Sequence, residues 1–140
     1  MTIEETIYID VPLNKVWNIT VDIERWPEWN PSITAVRRLD DNPFGIGSIV
    51  RIKQPGQPES DWTVTEYVRE NRFTWETHRS GLRMEATHFV QGEESGTLNI
   101  LRLQASGILA ILLWPVLRVA IRHALKKENQ GLKFRCERIT

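Results

Sequence analysis

Cysteine is the scarcest side chain in this sequence. Cys136 stands alone, which excludes an internal disulfide and fits a reducing compartment. Net charge is missing as well, because eighteen basic residues cancel eighteen acidic ones. With no basic patch interleaved with aromatics, nucleic acid is not an expected partner. There is no G-x-S-x-G turn, no phosphate-cradling glycine loop and no dinucleotide fingerprint, so no nucleophile or nucleotide motif is visible. The three histidines, His78, His88 and His123, lack metal-ligand spacing, and no carboxylate is placed to complete a site with them. Neither a metal nor a cofactor is expected. The opening MTIEETIYID has no basic region leading into an apolar core, so no signal peptide is read there and a cytoplasmic location is expected. No repeat, low-complexity tract or linker appears, and residues 1–140 are expected to form one domain.

What is present is an apolar C-terminal quarter. Residues 107–127 read GILAILLWPVLRVAIRHALKK, apolar on nearly every side for about four turns. Beyond Ile121 the apolar positions thin to a stripe: Leu113, Leu117, Ile121, Leu125, Leu132, Cys136 and Ile139, with a gap at Glu128. Steps of three and four residues mark one face of an α-helix. The run from Ile108 to Ile121 spans about 21 Å at 1.5 Å per residue and carries Pro115 and Arg118. It is too short to span a bilayer core of roughly 30 Å. A buried helix start is expected, with an interfacial or mouth-lining surface as the alternative. From Gly107 onward seven Lys/Arg face only Glu128 and Glu137, which leaves this segment basic and the rest acidic. A solvated helix face is the plain reading, and contact with an anionic membrane or partner the other.

The preceding residues read as strands and turns. Ile3 to Val11 is a strand with Ile3, Ile7, Ile9 and Val11 on one face. Pro12 opens a short amphipathic helix through Leu13, Val16, Trp17 and Thr20. Asp22 is placed to cap a second, one-turn helix that Pro27 stops. WPEWNP, residues 26–31, is a stiff turn whose two tryptophans wedge the short helices against the sheet. Six further strands are expected at 33–39, 45–52, 62–69, 73–78, 82–90 and 97–105, joined by short connections and therefore mostly antiparallel. If Ser80-Gly81 is a hairpin turn, Phe73 faces His88, Trp75 faces Ala86 and Thr77 faces Met84, and all six share the wall toward the long helix. Glu76 then meets Glu85 on the other wall. Arg102 falls on the less apolar side of its strand and is expected outside, and Arg37 is ambiguous. Glu66 shares a parity with Trp62, Val64 and Val68, so it is either a buried acid or, with a strand bulge, an exposed glutamate.

Ile9-Asp10-Val11-Pro12 leading into Val16-Trp17, then Asp22, Trp26-Pro27-Glu28-Trp29-Asn30-Pro31, the polar Gly92 to Ser95 loop and the helix ending in Leu132 to Ile139 resemble the START/Bet v 1-like (SRPBCC) superfamily. The likeness is nearest to its polyketide cyclase/dehydrase-like branch. The resemblance implies an α+β helix-grip fold: a seven-stranded antiparallel sheet wrapped around a long C-terminal helix, two short helices between strands 1 and 2, and an internal cavity. It also implies a small hydrophobic or aromatic ligand such as a lipid or polyketide. The expected ligand-binding residues are Phe73, Trp75, Thr77, Met84, Ala86, His88, Leu113, Leu117 and Ile121. A non-catalytic or weakly catalytic carrier is the leading reading. The alternatives are a cyclase or dehydratase with His88 as acid/base, and a peripheral membrane or dimer contact through Ile108–Trp114.

Overall fold

The structure, a computed structural model, describes residues 1–138. Ile139, the last position of the expected stripe, lies outside the described residues. Seven strands are present: β1 (Thr2–Ile9), β2 (Ala35–Arg38), β3 (Ile49–Lys53), β4 (Ser60–Val68), β5 (Arg72–Arg79), β6 (Leu82–Gly92) and β7 (Thr97–Ser106). They form one antiparallel sheet in the order β1-β7-β6-β5-β4-β3-β2. Helix α1 (Leu13–Val21) and a 3₁₀ helix (Ile23–Glu28) stand between β1 and β2, and helix α2 (Ile108–Arg138) closes the chain. This is the helix-grip arrangement, with α2 packed mainly on β1 and β7.

Two-residue alternation sets the concave wall. In the β5–β6 hairpin Phe73 pairs with His88, Trp75 with Ala86 and Thr77 with Met84, as Ser80-Gly81 at the turn requires. Glu76 does meet Glu85, and Arg83 bonds to both carboxylates, so the like charges share one cation. A bulge between Val64 and Glu66 reverses the parity of β4. Glu66 is thereby turned outward to Arg72 and Thr74, while Tyr67 comes inward opposite Phe73. Arg102 is also on the outer wall, bonded to Glu4 at 2.8 Å and lying over the Phe89 ring. Arg37 is exposed opposite Arg51.

Pro27 does not stop the second short helix. The i→i+3 bonds of a 3₁₀ turn need no N–H from Pro27, and the turn runs on to Glu28 with the Trp29 amide donating to the Trp26 carbonyl. Trp26 is 1% exposed, and its indole N–H donates to the Thr20 carbonyl at 2.9 Å. The tryptophan turn is thus welded to α1 and packed on the Trp75 ring.

Helix α2 starts where Gly107 lies against the β5–β6 turn. Its φ is +102°, and a Cβ there would stand 2.5 Å from the Gly81 carbonyl oxygen, so glycine is required. The core-facing line is Ala110, Leu125, Asn129, Leu132 and Cys136, with Trp114, Leu117 and Ile121 half-buried between them. Burial pushes the Cys136 thiol up to about 12, the signature of a packed, inert cysteine. Leu113 departs from expectation. It is 46% exposed, because the line that meets the sheet runs through Ala110, Trp114 and Leu117 and Leu113 lies to one side of it.

Candidate functional site

Between the concave wall and α2 lies a cavity of about 180 Å³. Its sheet side is aromatic and apolar, formed by Trp62, Trp75, Met84, Ala86, Leu101 and Leu103, with Trp26 contributed by the tryptophan turn. Its helix side is Leu117, Ala120, Ile121, Ala124, Leu125 and Glu128. Gln57 and Ala120, both exposed, stand at its rim.

Of the expected site residues, the structure brings Trp75, Met84, Ala86, His88, Leu117 and Ile121 onto this lining. Three others fall elsewhere. Phe73 is fully buried beneath His88, its ring stacked on the imidazole at 4.4 Å. Thr77 is buried on the same wall beyond the cavity, and Leu113 is on the surface. His78 bonds to Glu76 outside the sheet, and His123 is exposed on α2.

The polar centre of the cavity is a pair that the sequence reading did not assemble. His88 Nε2 lies 3.1 Å from Glu128 Oε2, with side chains only 6% and 12% exposed. The sequence placed no carboxylate beside a histidine, and the fold brings Glu128 there from 40 residues away. Glu128, read as a gap in the apolar stripe, occupies a core-facing position of α2 and points into the cavity. Its second oxygen, Oε1, accepts from Asn30 Nδ2 at 3.1 Å. Asn30 is itself fully buried, and its Oδ1 accepts from the Ser32 amide and hydroxyl. The tryptophan turn thus holds Asn30, Asn30 holds Glu128, and Glu128 holds the imidazole. Among the described residues no third metal-ligating side chain joins the pair.

The rotation of α2 that aims Glu128 inward is locked one residue further on. Asn129 accepts from Asn99 Nδ2 at 2.7 Å and donates to the Glu5 carbonyl at 3.1 Å. Buried amides of this kind fix an orientation because any other leaves polar groups unmet.

The chemistry of the pair follows from its proton inventory. An ionised carboxylate only accepts, so the ring nitrogen facing Glu128 carries a hydrogen. Nδ1 of His88 is buried and has no hydrogen-bond partner. In the neutral ring that nitrogen offers a lone pair. The arrangement is a carboxylate and an imidazole on the lining of an aromatic cavity, with the second ring nitrogen enclosed by protein.

The family profile described as polyketide cyclase / dehydrase and lipid transport matches residues 1–137. No curated protein sequence matches the chain. Among solved structures, a protein from Thermus thermophilus is 19% identical with a TM-score of 0.80, covering 100% of this chain and 99% of that one. A START superfamily protein from Mycobacterium smegmatis is 19% identical with a TM-score of 0.77, covering 99% of each. The Zhui aromatase/cyclase from a Streptomyces species is 12% identical with a TM-score of 0.76, covering 99% of this chain and 94% of that one. At these identities the structures establish a shared fold.

Proposed function

We propose, from a chain that belongs to the polyketide cyclase / dehydrase and lipid transport family, that this protein binds a small aromatic molecule bearing a hydroxyl in the cavity between sheet and α2. The observation that carries the reading is the His88–Glu128 pair on the lining of a cavity walled by Trp26, Trp62 and Trp75. Volume limits the ligand. About 180 Å³ exceeds the roughly 150 Å³ that holds a benzene ring and falls short of the ~300 Å³ at the lower end of drug-sized pockets. A single ring fits inside, and a larger polyketide or lipid would leave most of itself at the rim by Gln57 and Ala120. Calorimetric titration with phenol and toluene tests this. The ratio of phenol to toluene affinity is expected to fall about tenfold from wild type to His88→Phe, the effect of one buried hydrogen bond. An unchanged ratio, or binding of neither probe, would sink the proposal.

The Glu128 carboxylate favours a second reading, acid–base catalysis of the cyclase or dehydratase kind. It lies 3.1 Å from one nitrogen of the imidazole, and a carboxylate that orients a histidine is a recurrent arrangement in acid–base catalysis. Acetophenone in deuterium oxide is a suitable probe. Exchange of its methyl hydrogens above the buffer rate, abolished in His88→Ala while binding persists, supports catalysis. Exchange unaltered by His88→Ala removes it.

A further inference from the structure

Helix α2 leaves one face without a partner. Ile108, Ile111, Leu112, Val116 and Val119 are each about two-thirds exposed, with Leu109 and Leu113 exposed beside them. The apolar window of α2 has a mean hydropathy of 1.8, yet only 11% of it is buried. The core helix of a globular protein would be mostly covered. At 100° per residue Ile108, Leu112, Val116 and Val119 form one ridge directly opposite Ala110, Trp114 and Ile121, the residues that meet the sheet and cavity.

The same ridge turns basic where the apolar residues end. His123 and Lys126 continue it, Arg118 and Arg122 flank it on one side, and Lys127 flanks it on the other. Arg122 reaches Glu5 at 2.9 Å. Among the described residues Arg118, Lys126 and Lys127 have no ion-pair partner. The helix has no carboxylate before Glu128, and that one is turned into the cavity.

We propose that this face docks on an anionic lipid surface. The helix lies in the membrane plane, seating the ridge from Ile108 to Val119 at the acyl boundary and the cations from Arg118 to Lys127 among the phosphates. Such a pattern, a wide apolar face continued by unpaired cations, is that of an in-plane amphipathic anchor. Spanning is opposed by Arg118 and Arg122 within the segment and by the packing of the other face on the protein. A second copy on the same ridge would cover the cations of both helices without a carboxylate on that face to answer them, whereas a lipid surface supplies the anions. Docking also brings the cavity rim at Ala120, one turn beyond Val116, beside the lipid. The proposal does not rest on the identity of the cavity's ligand.

Co-sedimentation of the full chain with vesicles tests it, using phosphatidylcholine alone and phosphatidylcholine mixed with phosphatidylglycerol. Binding to the mixed vesicles is expected to be at least about tenfold stronger and to weaken with salt, since each cation near an anionic surface adds roughly fivefold. The double variant Leu112→Glu/Val116→Glu, at exposed positions that leave the fold intact by circular dichroism, should lose vesicle binding. Arg118→Glu/Lys126→Glu should lose the preference for phosphatidylglycerol. The proposal is overturned if the wild-type chain sediments with neither vesicle, or if its binding survives Leu112→Glu/Val116→Glu. It is also overturned if light scattering in vesicle-free buffer finds a dimer that the double variant dissociates. The wild-type arms and the salt dependence decide the matter even where a variant folds poorly.

Discussion

Replacing Gly131 with alanine tests the contact that sets how deep α2 lies in its groove. A Cβ at that position would collide with the Trp29 carbonyl oxygen, far inside the roughly 3.3 Å at which carbon and oxygen ordinarily approach, and would stand 3.1 Å from the carbonyl carbon. Both sides of the collision are backbone, so neither can rotate away. The helix and the tryptophan turn must part by about 1 Å, and Glu128 and Asn30 sit on the parting surfaces. The 3.1 Å bond from Asn30 to Glu128 then exceeds hydrogen-bond reach. Helix propensity alone favours alanine by about 1 kcal/mol. Against that stand about 1–3 kcal/mol of overpacking and about 1–3 kcal/mol for a buried acceptor left unmet. The net is a loss of about 1–5 kcal/mol, a fall in melting temperature of roughly 3 °C or more. Thermal unfolding by circular dichroism measures it, with Gly92→Ala as the control, where the nearest atom is Leu13 Cδ1 at an ordinary 3.7 Å. A Gly131→Ala protein melting at or above the wild type would falsify the argument, because propensity would then have outweighed the contact.

The remaining predictions concern the site, the thiol, acid stability and the helix. Asn30 Oδ1 is committed to Ser32, so its Nδ2 must donate to position 128. In Glu128→Gln the amide oxygen therefore faces Asn30 and the NH₂ faces His88, moving the imidazole hydrogen to Nδ1. Nitrogen-15 NMR of the His88 ring should then show the hydrogen moved from Nε2 to Nδ1, and an unchanged tautomer would contradict the proton assignment. Cys136, fully buried and pushed up to about 12, should not react with a disulfide reagent in the folded protein and should react fully in guanidinium; rapid native-state labelling would refute its burial. Hydrogen bonds from Arg72, Arg83, Arg51 and Lys133 hold the carboxyls of Glu66, Glu76, Asp61 and Glu137 below the usual range. Groups lowered by folding stabilise above their unfolded pKa and lose that contribution as pH falls through the folded value. Urea midpoints should accordingly fall between about pH 5 and about pH 3, by a margin kept small by solvent screening; a midpoint that rises on acidification contradicts the sign. Leu132→Ala, at 2% exposure, should cost about 2–5 kcal/mol, while Leu112→Ala on the exposed ridge should change stability by no more than about 0.5 kcal/mol.

Much of the wall was legible because strand parity is a strict rule. One turn, Ser80-Gly81, fixes all eight pairs of the β5–β6 register, and with them which face His88 joins. Glu66 shows where parity alone stops, since a single bulge at residue 65 reverses every side chain after it. The site was harder to read for a different reason. Its members come from β6, the tryptophan turn and α2, separated by 40 residues between His88 and Glu128 and by 98 between Asn30 and Glu128. No local period joins them. A signal did exist: Glu128 interrupts the apolar stripe at a core-facing position three residues after Leu125, and a charged residue there needs a buried partner. His88, already placed on the inner wall, was that partner. Gly131 carried a similar signal, as a glycine inside a helix calls for a close approach of other backbone. Leu113 failed for geometric reasons. Periodicity defines a stripe along a helix but not how the helix axis lies over a curved sheet, so it cannot say which of Leu113 and Trp114 meets the wall.

The two ends of α2 answer to different demands. From Glu128 onward it is fastened by Asn129 to β7 and β1, by the Gly131 contact to the tryptophan turn, and by Leu132 and Cys136 to the core. These are the contacts that a stable fold requires, and they leave this half little freedom. Before Leu117 the helix is held by Gly107, the Leu109 amide bond to Gly81, Ala110 and Trp114, and most of its large aliphatic side chains are exposed. A protein gains no stability from five large aliphatic residues held in water, and exposed apolar patches of this size are a liability for solubility. Their presence therefore calls for a use outside the core. The cavity lies between the two regimes, lined by Leu117 to Leu125 and closed at its deep end by Glu128. The rigid half sets the geometry of the polar pair, and the uncovered half offers its surface beside the rim through which any ligand enters.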